Sequence, residues 1–424
     1  MKPLLLICLC SVLLLSCSEK ASVVMPDSSN DVLLSETRRF TPTMRSSIEG
    51  VYRVLEGSDV FGDIVAMKWS YSVAENLTDT TFALSVFSGR DVGYFVLQGG
   101  TLDSVFIFRG YWRKMVNTET GIAQFAIGSK NGGRRLFQGT PVIGKDSIVF
   151  TGAFGSGQGL PDRQVAFAYE RPLYKAKRFE ILGHRCGGRT SDMLPVSENS
   201  VAMVLFSPQL GLTGIEVDVR ITKDGVPILY HDSEINLRET QKSGLVGTIE
   251  EYTYAQLQAF VRLIHGERIP TLQEALHAAL YRTPTRFVYI DNKNSSNLAV
   301  ERSIQKAYMD TAAALGREFE ILIGIPTEDL LNQFLTLPDY ATAPSLCELS
   351  MDDTRKMGAI VWAPRWTEGT QLSSVAQMHA EGRRVVTWTL DVAGYVQEYL
   401  AQGDFDGILT NYSPMVAFYH YTRQ

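Results

Sequence analysis

The sequence predicts an α/β fold of the TIM-type (β/α)8 barrel, preceded by an all-β domain built as a barrel or a sandwich. Three observations carry this expectation. From Ser47 to Glu170 short apolar, aromatic-rich runs are punctuated by Gly, Asn and Asp, with no long helical periodicity. After Tyr174 strand-like runs alternate with helical spacing for about 245 residues, the length and pattern of a (β/α)8 barrel. The chemically capable side chains fall where those later runs end, and such barrels carry their functional residues at the carboxyl ends of strands.

The N-terminal end reads differently from the rest. Lys2 is the only charge before the apolar run Leu4 to Leu15. That run is too short to span a bilayer and suits the core of a signal peptide over residues 1–17. It ends Leu14-Leu15-Ser16-Cys17, which resembles a bacterial lipobox. The resemblance implies that Cys17 becomes the lipidated first residue of the mature chain; the alternative is an ordinary signal peptide with an incidental cysteine. Ser18 after the cysteine implies, by the same resemblance, the outer membrane. The expected place is therefore the bacterial cell envelope, with the membrane as partner through the anchor on Cys17. Residues 18–45 are rich in Ser, Thr, Pro and charge and read as a flexible tether with a random-coil reach of roughly 30 Å. Cys8 and Cys10 leave with the signal. Cys186 and Cys347 remain, either paired or as two separate thiols.

At 424 residues, with 45% apolar and 20% charged residues, the chain has ordinary globular composition and room for two or three domains. A net charge of −6 weighs against a nucleic-acid partner, because surfaces that track phosphate backbones are basic.

Residues 46–174 form the predicted antiparallel β domain. Its strands are expected around Gly50–Leu55, Phe82–Phe87, Gly93–Leu97, Ser104–Phe108, Ala123–Ile127 and Ser147–Phe150. No cluster of His, Asp and Glu lies here. The domain is expected to dock, to space, or to bind a glycan or a partner protein. In residues 175–424, strands are expected at Ile181–Gly183, Thr213–Val219, Pro227–Tyr230, Phe287–Asp291, Phe319–Ile325, Ala359–Ala363, Arg384–Leu390 and Asp406–Thr410. Thr271 and Glu274 form a capping box that opens one helix, and Asn297–Leu315 has the spacing of another.

Two of the chain's six histidines, His184 and His231, lie close together in sequence with Arg185, Glu216 and Asp218. Imidazoles exchange protons near neutral pH. Guanidinium binds phosphate oxygens bidentately. Glu216 and Asp218, two apart on a strand, point to one face. Two inward carboxylates make a poor core and a good site for a hard cation; taken alone, the spacing also fits a solvated strand end.

The text around these residues resembles the glycerophosphodiester phosphodiesterase family. The matching segments are His184-Arg185-Cys186, Ser197-Glu198-Asn199-Ser200, Glu216-Val217-Asp218-Val219, Thr222-Lys223-Asp224-Gly225, His231-Asp232 and Arg238-Glu239-Thr240. They continue with Ile269-Pro270-Thr271-Leu272-Gln273-Glu274-Ala275-Leu276, Val386-Thr387-Trp388-Thr389 and Asp406-Gly407-Ile408-Leu409-Thr410-Asn411. The resemblance implies a TIM barrel that hydrolyses glycerophosphodiesters, a small-molecule substrate, to glycerol 3-phosphate and an alcohol. His184 and His231 would be the acid–base pair. Glu216, Asp218 and Asp291 would hold one divalent cation, Ca2+ or Mg2+. Arg185 and Lys293 would bind phosphate, and Trp388 would wall the alcohol side. Glu198 and Asn199 would brace the histidine loop.

Three positions depart from the family pattern. Asp291 stands where Glu is usual and is one methylene shorter. Cys186 replaces a motif glycine, with Gly187-Gly188 following, so the backbone freedom is expected to move along by a residue. Asn411 replaces the final Asp. The remaining histidines, His265, His277, His379 and His420, read as surface or helix residues outside the chemistry. Two other functions stay open: a related phosphodiesterase acting on intact phospholipid, and a surface lipoprotein that binds without turnover.

Overall fold

A computed structural model of the protein describes residues 23, 25, 32–140, 144–293 and 297–424. The signal peptide and Cys17 lie outside the described residues.

The N-terminal unit is a closed antiparallel barrel of β1 (Gly50–Glu56), β2 (Ile64–Val73), β3 (Thr80–Ser88), β4 (Gly93–Leu102), β5 (Val105–Lys114), β6 (Thr120–Ile127), β7 (Val149–Phe154) and β8 (Arg163–Arg171). Each strand pairs with the next, and β8 returns to β1. The fold is thus the barrel of the two alternatives, and closure leaves no free edge. Strands β2 and β8 were not among those expected. Their inward residues Val65 and Met67, and Val165 and Phe167, alternate with Lys68, Gln164 and other residues that break the apolar run. Alternation sends Phe95, Phe106, Phe108, Phe125, Phe150, Phe154 and Phe167 inward. Their rings pack edge to face and tilted, for example Phe61 on Phe95 with centroids 4.6 Å apart. The barrel is therefore filled by its own side chains.

The expected tether ends earlier than residue 45. Arg38 pairs with Thr101 as an isolated bridge, Phe40 and Met44 bury in the barrel core, and Thr41 caps a helix over Pro42–Ile48. Two apolar anchors in a polar stretch suffice to fold it onto the barrel.

The second unit contains β9 (Glu180–Gly183), β10 (Gly214–Ile221), β11 (Pro227–Leu229), β12 (Phe287–Asn292), β13 (Glu320–Ile325), β14 (Ser345–Cys347), β15 (Val361–Trp362), β16 (Arg384–Thr387) and β17 (Gly407–Thr410). All but β11 run parallel and close into a barrel, with β9 joining β17 to β10. β11 pairs antiparallel with β10 and extends it above the barrel mouth. The capping box forms as expected: Thr271 Oγ1 accepts from Glu274 N at 3.1 Å and Thr271 N donates to Glu274 Oε2 at 2.7 Å. Among the described residues, no helix is long and apolar enough to cross a membrane.

The two barrels share apolar contacts. Phe87, Tyr94, Val96 and Met115, on the outside of the first barrel, cluster with Leu194, Leu210, Ala417 and Phe418 of the second. The C-terminal helix Ser413–Tyr421 lies between them, nearly all of it buried. Ser85 Oγ donates to Gln209 O at 2.7 Å and Arg282 Nε to Val73 O at 2.9 Å across the same junction. Cys186 and Cys347 are both buried and free, so the two cysteines are separate thiols.

Candidate active site

The register of β10 against β12 builds the centre of the barrel mouth. Asp218 lies beside Asp291, and Glu216 beside Tyr289. Neighbouring parallel strands are about 4.8 Å apart, so this register sets a third carboxylate next to the same-face pair. Oxygens of Glu216, Asp218 and Asp291 lie within 4.8 Å of one another. Glu216 and Asp218 are fully buried. Glu216 Oε1 has no hydrogen-bond partner, and Oε2 accepts from Arg185 N at 2.6 Å. Burial, then the charges of Asp218 and Asp291, push the Glu216 carboxyl well above the usual range. Lys293 reaches into the group, 3.0 Å from Asp218 Oδ1 and in direct contact with Asp291. Against its burial, those two carboxylates hold its ammonium well above the ordinary lysine range. One lysine balances one of three acids. An orphaned buried oxygen and surplus negative charge fit a hard divalent cation held by Glu216, Asp218 and Asp291, and the shorter Asp291 remains in reach because of the register.

His231 follows β11. Its Nδ1 lies 2.7 Å from Asp232 Oδ1, and its Nε2 lies 2.9 Å from Arg185 Nη2. Arg185 Nη1 donates to Glu198 Oε1 at 2.7 Å, and Glu198 Oε2 accepts from Thr190 N at 2.5 Å. Burial works against the Glu198 carboxylate, but Arg185 and Arg238 hold it below its ordinary pKa. Asn199 donates from Nδ2 to Asp218 Oδ2 at 2.6 Å, and its Oδ1 accepts from Asp218 N at 3.2 Å. Glu198 thus contacts the arginine and Asn199 the acidic centre.

His184 follows β9, and its Nδ1 lies 2.8 Å from Asn411 Oδ1. Asn411 Nδ2 donates to Asp391 Oδ2 at 2.6 Å, which fixes the amide with its oxygen toward the histidine. An oxygen there accepts, so Nδ1 of His184 carries the hydrogen and Nε2 does not. Burial, then Arg185 and Lys293, lower its pKa against the opposing pull of Asp218. The substitution at 411 now has a reason. Asp391 already supplies a carboxylate, and an aspartate at 411 would face it.

The expectation for Cys186 needs correction. Cys186 itself takes φ +70, directly after Arg185 at φ +54. Gly188 also stands at positive φ, +158, but the left-handed stretch begins at Arg185 and Cys186 rather than moving wholly to the glycines. Such backbone costs of order 1 kcal/mol or more per non-glycine residue and persists where packing holds it. Cys186 is fully buried, and Asn199 N donates to Arg185 O at 3.2 Å.

Several contributors carried no separate signal. Arg238 and Glu239 sit inside a recognised motif, yet their place emerges only in three dimensions. Arg238 contacts Asp232 at 2.6 Å, Glu198 at 3.1 Å and Glu239 directly. His231, Asp232 and Glu239 form a second potential ligand group, but this guanidinium already sits among its carboxylates. Glu348 follows β14 and accepts a short hydrogen bond from Tyr289 Oη; burial, then Asp291, raise its pKa to about 8. Trp388 follows β16, where its Nε1 donates to Ala363 O at 2.8 Å and Arg365 lies 4.9 Å over its ring.

Fold and site together define a (β/α)8-barrel protein whose mouth combines two histidines, an arginine, a lysine and a carboxylate triad with the geometry to hold a metal ion. Residues 184–414 match the model of the Glycerophosphoryl diester phosphodiesterase family, and the chain belongs to that family. It is 30% identical over 248 residues to "Probable glycerophosphodiester phosphodiesterase 2" of Mycobacterium tuberculosis, covering 54% of this chain and 86% of that protein. It is 32% identical over 176 residues to Glycerophosphodiester phosphodiesterase 1 of Rattus norvegicus, covering 39% of this chain and 49% of the rat protein, so the match spans only about half of that relative. A glycerophosphodiester phosphodiesterase structure from Parabacteroides distasonis superposes with a TM-score of 0.43 at 21% identity, over 56% of this chain and 94% of that one. The family match begins at His184, so the N-terminal barrel lies outside it.

Proposed function

We propose that the protein hydrolyses glycerophosphodiesters to glycerol 3-phosphate and an alcohol, with His184 and His231 as the acid–base pair. The observation that carries this reading is the convergence, at one barrel mouth, of two imidazoles in unlike settings around an arginine, a lysine and three carboxylates. Arg185 and Lys293 bind the phosphate oxygens. His184, kept neutral by burial, takes the proton of the attacking hydroxyl, whether from water or from the substrate's own glycerol. His231, backed by Asp232, gives a proton to the leaving alcohol. Three oxygen ligands favour Ca2+ or Mg2+, and that ion when bound would neutralise charge on the phosphoryl oxygens. Trp388, which follows β16, would serve as the apolar wall for the alcohol group.

The test is release of glycerol 3-phosphate from glycerophosphocholine, glycerophosphoethanolamine and glycerophosphoglycerol with Ca2+, with Mg2+ and with chelator. Release that stops with chelator, and that His184→Ala and His231→Ala each abolish, supports the reading. No release from any of the three, or retained turnover in either variant, overturns it.

The N-terminal segment supports a second proposal, that Cys17 carries a lipid anchor in the bacterial envelope, at the outer membrane. Labelled palmitate incorporated by the wild type and lost in Cys17→Ser would bear it out; equal labelling would sink it.

A further inference from the structure

The N-terminal barrel has a direct line to the active site through Arg113. This residue sits near the end of β5, where alternation turns Trp112 into the barrel core and Arg113 outward against the second barrel. Its side chain is fully buried. No carboxylate lies within ion-pair distance of it among the described residues. Its Nη2 donates to Asp192 O at 2.9 Å and its Nη1 to Asn117 O at 3.1 Å, while Nε has no partner. The Asp192 carboxylate is otherwise engaged, accepting from Arg189 N at 2.8 Å and Arg189 Nη2 at 2.9 Å. A buried cation held mainly by carbonyl oxygens is a poor way to stabilise an interface, since an apolar side chain of similar volume commonly does as well or better. Its presence calls for a reason other than stability.

The carbonyl that Arg113 holds belongs to the loop between β9 and the Glu198 motif. That loop has little regular structure, one turn at His184–Cys186 and one at Thr190–Asp192, the second followed by Met193 at φ +52. Within it Asp192 N donates to Arg189 O at 2.9 Å, and Thr190 N donates to Glu198 Oε2 at 2.5 Å. Glu198 in turn holds Arg185 at 2.7 Å, and Arg185 meets His231 Nε2 at 2.9 Å. We propose that Arg113 is a positioning residue for the active site, and that the N-terminal barrel thereby completes the catalytic mouth by fixing the 189–192 loop against Glu198. It touches neither substrate nor reacting atoms and acts through Glu198 and Arg185.

The proposal rests on the phosphodiesterase reading for its kinetic readout, so the test carries a second readout that needs no turnover. Arg113→Met removes the buried charge and keeps the volume. With glycerophosphocholine and the metal-loaded full chain, kcat/KM falls at least ten-fold while the melting temperature holds or rises. In a Glu198→Gln background the same change costs less than two-fold, because both variants break one chain of contacts. Arg113→Lys keeps a buried cation but not the fork that reaches two carbonyls, and gives a smaller loss in the same direction. Independently of activity, hydrogen exchange at Thr190 and Asp192 speeds at least ten-fold in Arg113→Met, with β5 unchanged.

Multiplicative losses in the Glu198→Gln background, or Arg113→Met within two-fold of wild type with unchanged exchange, would overturn the proposal. An inactive wild type would count against the phosphodiesterase reading instead, and the exchange experiment would still decide the role of Arg113. Should Arg113→Met not fold, Arg113→Lys decides by the same two readouts.

Discussion

Arg185 donates to Nε2 of His231 at 2.9 Å while Nδ1 of the same ring faces Asp232 at 2.7 Å. A guanidinium has no acceptor, so Nε2 must accept, and the hydrogen must sit on Nδ1 toward the carboxylate. In this state Arg185 occupies the lone pair through which His231 would exchange a proton. A phosphate anion competes for the same guanidinium. On the proposed reading, a bound diester would draw Arg185 away and free Nε2 of His231 for the leaving alcohol.

The tautomer is the part of this arrangement that a single substitution reverses. In Asp232→Asn the amide can donate to Nδ1, which moves the ring hydrogen to Nε2 and sets it against the Arg185 donors. Turnover should drop by about 10² to 10⁴, the usual worth of a positioned acid or base. Steady-state kcat beside circular dichroism checks it. A loss under ten-fold would mean that Asp232 does not set the tautomer.

Asn411 and Asp391 form a matched pair, joined at 2.6 Å with the amide passing the contact on to His184. Asn411→Asp should lower kcat/KM about ten-fold, because a buried carboxylate at 411 would then oppose the partly buried Asp391 beside the histidine. The Asn411→Asp, Asp391→Asn double variant exchanges the two groups and should recover most of the loss. No recovery would show that position 411 matters for a reason other than this pairing.

How much of this was legible in the sequence varies by residue. Glu216 and Asp218 were readable because period-two geometry is local, and His184 and His231 because each follows a strand-like run. Asp391 and Glu348 were not, since each enters alone on a loop after β16 or β14 with no motif around it. Strand β14 escaped notice because three residues, Ser345–Cys347, carry no periodicity. Arg113 and Asp192 are 79 residues apart and meet only because two barrels dock, which no local pattern encodes.

The carboxylate triad makes a prediction that requires no substrate. A ligand that binds only the folded state raises stability by about 2.7 kcal/mol at a hundred-fold excess over its Kd. Excess Ca2+ or Mg2+ should therefore lift the melting temperature of the chelator-treated protein by about 5–10 °C, given a shift of about 2–4 °C per kcal/mol for domains of this size. Asp218→Asn should abolish the rise. A wild type that melts alike with and without cation would mean that Lys293 alone closes the triad.

His420, on the C-terminal helix, sets a pH limit on the second barrel. It is 5% exposed, stacked on Phe179 with centroids 4.7 Å apart, and its Nδ1 has no hydrogen-bond partner. Burial, then the cations Arg423 and Arg286, lower its pKa to about 3. The unfolded chain has the ordinary value of about 6.5. Above that value neither state holds the proton and stability is unaffected. As pH falls below it, the unfolded chain takes up a proton that the folded chain refuses, so stability declines at up to about 1.4 kcal/mol per pH unit, or about 3 kcal/mol by pH 4. His420→Phe keeps a ring against Phe179 and removes the titration. Its melting temperature should fall less steeply than that of the wild type between pH 6.5 and 4. Parallel curves for the two proteins would mean that the folded chain admits the proton, and that the imidazole stacked on Phe179 is not held neutral.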